Sequence, residues 1–117
     1  MALVTPVFLN PAPGNAVVLV TFTADGNDAT VPLGFKPTYC KIINKTTTNM
    51  WEICSNWTSG EGAYTTGSTG VRTDASSAPT YYDGAAETGS GDGYAPGITI
   101  PTAFLNASDE VLIVAYK

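Results

Sequence analysis

Alternating apolar and polar residues mark short β-strands along much of the chain. The clearest pattern covers residues 15–24, where Ala16, Val18, Val20 and Phe22 share one face of an extended strand. The opposite face is also half apolar, which is typical of a strand covered on both sides. A long amphipathic helix pattern is not present in the sequence, and we therefore predict an all-β protein.

A turn sequence, Asp-Gly-Asn-Asp at residues 25–28, separates this strand from a second, short strand predicted at residues 29–33. Strand patterns that are joined by such a turn are typical of a β-hairpin. We therefore expect the strands at 15–24 and 29–33 to pair with each other.

Residues 34–53 predict another hairpin, around which the other strands are arranged. A Gly-Phe-Lys-Pro corner begins it, and Pro37 argues against a helix at this point. The runs before and after the threonines at 46–48 are rich in Tyr, Ile and Trp, which favour strands. A turn centred on Thr47 places Ile43 opposite Trp51.

The same register places Cys40 opposite Cys54. A disulfide between directly opposed strands is geometrically demanding, and the C-x-x-C spacing of a redox pair is missing. The N-terminal residues lack the pattern of a secretion signal, so we expect synthesis in a cytoplasm, where thiols normally stay reduced. We interpret the cysteines as two small buried thiols, while the sequence leaves open whether they are bonded.

The length of 117 residues suits one domain. Residues 1–14 contain three prolines and predict an extended N-terminal arm, which docks Val7, Phe8 and Leu9 on its own sheet or on a neighbouring subunit. Residues 15–117 form the β domain.

Residues 55–96 form a Gly/Ser/Thr-rich loop region within this domain. It contains three predicted short strands, at 62–66, 71–73 and 79–82. After it we predict a strand at 97–101, a helical turn at 102–106 and a buried last strand at 111–116.

The charge of the chain limits the possible partners. The formal net charge is −5, which argues against binding to nucleic acids and to anionic membranes. Charged residues make up 13% of the chain, about half of the usual share. A weakly charged surface suits contacts with other proteins, and it also fits an ordinary soluble β domain.

Catalytic chemistry finds little support in the sequence. The chain has no histidine, which excludes a Ser-His-Asp catalytic triad and a Cys-His catalytic dyad. Two cysteines do not make a zinc cluster, and the turn at 25–28 lacks the alternating ligands of an EF-hand. A carboxylate pair would have to come from loops without a rigid supporting shell. The candidates for it are Asp74, Asp83, Glu87 and Asp92. We predict no catalytic, cofactor-binding or metal-binding residue, and no enzyme activity.

The run Gly34-Phe35-Lys36-Pro37-Thr38-Tyr39, continued by Lys41-Ile42-Ile43-Asn44-Lys45 and later by Trp51-Glu52, resembles a pattern in small virion structural proteins of tailed bacteriophages. In that family a Gly-Phe-x-Pro corner leads to an aromatic-rich strand that ends in Asn, and the returning strand carries Trp or Glu-Trp. The order Trp51-Glu52 reverses this dipeptide. Gly97-Ile98-Thr99-Ile100 and the strand at 111–116 match later parts of the pattern.

This resemblance implies a β-sandwich or jelly-roll-like subunit of a phage particle, made in the host bacterial cytoplasm and located on the capsid exterior. The function it implies is that of a head decoration (cement) protein, which binds the major capsid protein, often as a homotrimer, and stabilises the head. It implies no cofactor, nucleic acid or membrane. Apolar and aromatic residues are the expected capsid or subunit contacts. They are Val7, Phe8, Leu9, Trp57, Tyr64, Tyr81, Tyr82 and Tyr94.

Three other functions fit parts of the sequence. A tail-fibre or head-fibre module that binds host glycans would use exposed aromatic platforms, for which Trp57 and Tyr64 are candidates. A wall-degrading enzyme would need catalytic groups that the sequence does not offer. An unrelated β domain would need neither exposed aromatic platforms nor catalytic groups.

Overall fold

The computed structural model describes residues 2–3, 7–9, 17–68, 70, 72–82 and 96–117, with the backbone alone at 2–3, 72–76 and 82. Within these ranges the chain forms eleven strands and a 3₁₀ turn. The strands, numbered β1 to β11 in chain order, are Ala2–Leu3, Val7–Phe8, Val17–Thr23, Ala29–Pro32, Tyr39–Asn44, Asn49–Cys54, Glu61–Thr65, Arg72–Ser76, Thr80–Tyr82, Gly97–Ile100 and Glu110–Tyr116. The 3₁₀ turn covers Thr102–Phe104.

These strands form two sheets. The large sheet has the order β2-β3-β11-β5-β6-β7-β8, and the small sheet has the order β1-β4-β10-β9. The described strand pairs are antiparallel, except for the two-residue pair of β1 with β4. The predicted all-β, antiparallel fold is confirmed and is consistent with a β-sandwich, while the jelly-roll arrangement stays a prediction.

Side chains from both sheets form one apolar core. Successive residues of a strand point to opposite faces, and the core takes alternate residues from β3, β5, β6 and β11. From the large sheet these are Val18, Val20, Phe22, Cys40, Ile42, Trp51, Ile53, Val111, Ile113 and Ala115. From the small sheet they are Ala29, Val31, Ile98 and Ile100. The predicted shared face of Val18, Val20 and Phe22 is confirmed and points into the core, while Ala16, its fourth predicted member, lies outside the described residues.

Most predicted strand positions are also confirmed. The short strands expected at 62–66, 71–73 and 79–82 correspond to β7, β8 and β9, and a single 3₁₀ turn lies inside 102–106. The closing strand is β11. It lies between β3 and β5 in the large sheet, as its two apolar faces predicted.

The predicted pairing of the strands at 15–24 and 29–33 is wrong. β3 pairs with β2 and β11, whereas β4 belongs to the small sheet and pairs with β1 and β10. The turn at 25–28 connects the sheets instead of closing a hairpin. Contacts with the 3₁₀ turn hold it in this position, because Thr102 donates its backbone N–H to Asp28 Oδ1 at 2.7 Å and its hydroxyl to the Gly26 carbonyl at 2.7 Å.

The hairpin of β5 and β6 is confirmed, but its predicted register is wrong by one residue. Its turn has four residues, 45–48, and the backbone N–H of Thr48 donates to the Asn44 carbonyl at 2.7 Å. Ile42 therefore faces Trp51 in place of Ile43. A shift of one residue moves each side chain to the other face of the strand.

This shift separates the two cysteines. Cys40 faces Ile53, and Cys54 faces Tyr39. Cys40 is buried and Cys54 is half-buried, and both thiols are free. The interpretation as small buried thiols therefore holds for Cys40 alone.

Candidate functional site

Five large apolar or aromatic side chains remain exposed among the described residues. They are Val7, Phe8, Leu9, Trp57 and Tyr116, with exposed fractions of 57%, 36%, 56%, 41% and 40%. Three belong to the N-terminal arm, one to the loop after β6 and one to the end of β11. They divide between two surfaces of the molecule.

The first surface begins at the arm. Residues 7–9, which we call the arm strand, add to the edge of the large sheet. Val7 faces Thr21 and Phe8 faces Val20. The backbone N–H of Leu9 donates to the Leu19 carbonyl at 2.8 Å. The backbone of the arm strand is therefore fixed to the domain, while its side chains stay exposed.

The arm strand continues a row across the outer face of the large sheet that is apolar except for Thr21. Directly opposed residues of antiparallel strands share a face, and the register runs from Val7 through Thr21, Leu112 and Ile43 to Met50. We call this set the outer row. Its members on β3, β11, β5 and β6 are only half-buried.

Two tyrosines extend the same face. Tyr39 of β5 faces Tyr116 of β11, with ring centroids 5.5 Å apart and planes inclined by 54°. The Tyr39 hydroxyl donates to a carboxylate oxygen of Glu52. These contacts fix the Tyr39 ring beside the exposed ring of Tyr116.

The second surface is a cleft with a volume of about 140 Å³, which we call the Trp57 cleft. It lies where the loop after β6 meets the start of β7 and the start of β9. Its lining includes one exposed indole, one tyrosine, two opposite charges and several hydroxyl groups. These residues are Lys36, Ile53, Cys54, Ser55, Trp57, Thr58, Ser59, Gly60, Glu61, Pro79, Thr80 and Tyr81.

Tyr81 is the residue in this cleft with an unusual environment. Its hydroxyl oxygen is buried and has no hydrogen-bond partner among the described residues. The Lys36 ammonium lies 5.5 Å from the centre of its ring. Burial raises the pKa of Tyr81, and the nearby thiols of Cys40 and Cys54 raise it further. The phenol therefore stays protonated further into the alkaline range than an ordinary tyrosine.

The structure sorts the predicted contact residues into three groups. Val7 begins the outer row, Leu9 follows it along the arm strand, and Phe8 faces the core residue Val20. Trp57 and Tyr81 line the same cleft. Tyr64 is half-buried against the core, with its ring 4.9 Å from that of Trp51.

Of the two candidates for an exposed aromatic platform, Trp57 is exposed in the Trp57 cleft, whereas Tyr64 packs against the core. For Tyr82 the structure describes the backbone alone, and Tyr94 lies outside the described residues.

Sequence reasoning missed Lys36, Glu61 and Tyr116. Lys36 belongs to the Gly-Phe-Lys-Pro corner, and the only signal in its favour was that position. Glu61 follows a glycine turn, a common place for a solvated charge. Tyr116 ends a strand that was expected to be buried.

The acidic residues considered for a metal site or a carboxylate pair lie partly in the turn at 25–28 and partly outside the described residues. In the turn at 25–28, Asp25 Oδ1 accepts the N–H of Asn27 at 3.0 Å, and Asp28 binds the 3₁₀ turn. No group of three or more acidic or cysteine residues that could hold a metal occurs in the described part of the chain. Asp83, Glu87 and Asp92 lie outside the described residues, as does the side chain of Asp74.

Comparison with known proteins adds no relative. No family model matches the chain, and neither a curated protein nor a solved structure shows significant similarity to it. Among the residues that the structure describes, no helix has the length and apolar character needed to cross a membrane.

Proposed function

We propose that this protein is a non-enzymatic structural subunit of a phage virion, a decoration (cement) protein that binds the outer surface of the capsid. The observation that carries this proposal is the arm strand, whose backbone is paired with the sheet while Val7 and Leu9 remain 57% and 56% exposed. Its partners would be the major capsid protein and further copies of itself in a trimer.

The arm strand has the physical properties of a contact element. Edge strands of soluble proteins normally carry charges, prolines or bulges that prevent association. Here the described edge residues are apolar and continue into the outer row, and contiguous exposed apolar surface is typical of interaction sites. Full burial of each such side chain contributes about 1.5–3 kcal/mol. Several copies in a trimer would multiply this modest contribution through a high effective concentration.

The surface charge is consistent with such a role. Lys45 and Glu110 form an ion pair at 3.3 Å, and both side chains are exposed. Exposed pairs contribute little to stability. Contacts through the arm strand would therefore depend on apolar burial, and salt would weaken them only slightly.

The test compares charged variants of the arm with a charged control. Val7→Asp combined with Leu9→Asp places two carboxylates on exposed positions and leaves the backbone pairing intact. The control, Ser68→Asp combined with Ala103→Asp, adds the same charge at exposed positions away from the arm. Each protein is mixed with phage heads from which this protein is absent. Bound copies are then counted by electron microscopy and quantitative mass spectrometry.

We expect the control to occupy the heads like the unaltered protein and the arm variant to lose at least tenfold in occupancy. Both should keep their unfolding midpoints, because the substituted side chains are exposed. Equal occupancy of all three proteins would reject the role of the arm. Failure of the unaltered protein to bind heads would reject the decoration function.

A further inference from the structure

The outer face of the large sheet is apolar over most of four strands. On β3, β11, β5 and β6 its side chains are half-buried or exposed, and most of them are aliphatic or aromatic. Beside the outer row, this face includes Val17, Leu19, Val114, Tyr39 and Tyr116. Contiguous apolar surface of this kind is typical of interaction sites.

Lys41 places a positive charge in the middle of this apolar face. It faces Val114 of β11 and Glu52 of β6, and its side chain is half-buried. Its ammonium makes no ion pair or hydrogen bond with the residues that the structure describes, and the Glu52 carboxylate accepts the hydroxyl of Tyr39. A molecule that covers this face would have to bring a carboxylate to Lys41, because a buried ammonium needs a charged partner.

The chain carries such a carboxylate on the same face. Glu110 and Val114 lie two residues to either side of Leu112 on β11, so Glu110 and Lys41 lie on opposite sides of the outer row. The Glu110 side chain is 61% exposed and pairs with Lys45 at 3.3 Å. A carboxylate has two oxygens and can accept from a second ammonium. The face is therefore complementary to a second copy of itself.

A two-fold axis along the outer row joins these groups. Such an axis packs the outer row of one copy on the outer row of the other, with Ile43 and Leu112 close to the axis. It exchanges the two sides of the row, so Lys41 of each copy comes to the end of the face where Glu110 of the other copy lies. Two sheets that stack face to face keep their strands within about 30° of each other, which this arrangement permits.

The charges of the face favour an approach by a second copy. Lys41, Glu52 and Glu110 are the charged residues that point outward from these four strands, and Lys45 pairs with Glu110. The formal charges of these four residues cancel, so the formal net charge of −5 comes from residues outside the face. Two copies therefore repel each other least when they meet through this face.

The size of the face predicts a weak contact. Four strands spaced by about 4.8 Å, each with about seven residues at about 3.3 Å, cover roughly 19 by 23 Å. Two such faces in contact would bury on the order of 1,000 Å², which is typical of a weak, reversible interface.

We propose that two copies of this chain associate through the outer faces of their large sheets, with the outer rows packed on each other and Lys41 of each copy bound to Glu110 of the other. A two-fold contact closes at two copies, so it is separate from the trimer contact in the proposed function. Free subunits can form it, and it does not depend on capsid binding.

The first test measures the mass of the free, full-length protein by sedimentation equilibrium. We expect a monomer–dimer equilibrium with a Kd on the order of 10–100 µM, as the small buried area predicts. The concentrations should run from about 1 µM to about 1 mM to bracket this range. A protein that stays monomeric throughout, or that forms trimers without dimers, would overturn the proposal.

Two charge reversals test the ionic contact. Lys41→Glu and Glu110→Lys should each weaken self-association by at least about tenfold, because like charges then meet on both sides of the outer row. An equimolar mixture of the two variants should restore the dimer, since the glutamates of one copy meet the lysines of the other. Mixing cannot repair a fold damaged by either substitution. Absence of recovery in the mixture would therefore contradict the contact between Lys41 and Glu110.

An outer-row variant tests the apolar contact. Leu112→Asp places a carboxylate beside the proposed axis and should abolish the dimer, whereas Ala103→Asp adds the same charge at an exposed position in the 3₁₀ turn and should leave it unchanged. Circular dichroism checks that both variants are folded. Equal dimer formation by the two variants would show that the outer row is not the contact.

Binding to phage heads separates this contact from the decoration function. A protein that occupies heads but never dimerises would reject the contact and leave the decoration function standing. A protein that dimerises as described but does not bind heads would reject the decoration function and leave the contact standing.

Discussion

Asn44 donates its side-chain amide to Asp109 Oδ2 at 2.8 Å, and both side chains are buried. The same amide donates to the Phe104 carbonyl at 2.9 Å. Asn44 Oδ1 accepts the backbone N–H groups of Thr46 and Thr47 at 3.1 and 3.2 Å. One polar side chain therefore joins the turn of the β5–β6 hairpin to the segment that leads into β11.

Replacement of Asn44 by Ala should lower the free energy of unfolding by about 3 kcal/mol, because the buried carboxylate of Asp109 keeps only the Asn106 N–H as a donor among the described residues and three backbone groups lose their bond to the side chain. The measurement is urea unfolding followed by far-UV circular dichroism. Asn49→Ala is the matched control in the facing strand, where the side chain is half-buried and accepts one N–H, from Gly67. It should cost about 1 kcal/mol or less. Equal losses for the two variants would contradict the role assigned to Asn44.

The two thiols should differ sharply in reactivity. Cys40 is 0% exposed, whereas Cys54 is half-buried and donates its thiol to Asn56 Oδ1 at 2.9 Å. A thiol reagent such as DTNB should label one cysteine per folded chain and two in denaturant without reductant. Cys54→Ser should abolish labelling of the folded protein. Absence of labelling in denaturant would instead reveal a disulfide, which the observed register does not favour.

Stability should fall at alkaline pH because of Cys40. Burial raises the pKa of this thiol far above its ordinary value of 9.0. Above that pH the unfolded chain releases a proton that the folded protein retains, so the free energy of unfolding decreases by up to about 1.4 kcal/mol per pH unit. Below pH 9.0 the contribution is constant.

The measurement is urea unfolding between about pH 8 and 11, a window that spans the ordinary pKa values of Cys and Tyr. Cys40→Ala should show a shallower decline over this range, whatever its stability at neutral pH. Part of the decline should persist in the variant because burial also raises the pKa of Tyr81. Identical slopes for the two proteins would contradict the prediction.

Gly97 should not tolerate a side chain. It lies in β10 opposite Pro32 of β4, and a Cβ built on it would overlap the Val31 carbonyl oxygen. Gly97→Ala should therefore lower the free energy of unfolding by about 3 kcal/mol or prevent folding, because the conflict is with backbone atoms that cannot move aside. Thermal unfolding measures the loss.

Gly70→Ala is the control for this variant. That position has φ +68° and open space around it, so the cost there is conformational strain alone, about 1 kcal/mol. A smaller loss for Gly97→Ala than for Gly70→Ala would refute the steric argument.

Sequence patterns predicted only part of the candidate site. The arm was predicted as a contact element because a disordered tail rarely needs three consecutive large apolar residues, and Trp57 was predicted because Trp and Tyr are enriched at interfaces. Lys36 and Glu61 were not predicted, since each is an ordinary surface charge until the fold brings the corner before β5 next to the loop after β6. Tyr64 and Tyr81 are the same residue type in similar contexts, and only packing separated their surroundings.

The sequence by itself determined the β class, most strand positions and which residues of the first strand share a face. The alternation of Val18, Val20 and Phe22 encodes a face directly, because side chains of a strand alternate at every residue. Tertiary structure decided what local patterns do not contain: the partner of each strand, the register of the β5–β6 hairpin and the position of the turn at 25–28 between two sheets. Those choices depend on bonds between residues far apart in the chain, such as Asn44 with Asp109 and Asp28 with Thr102.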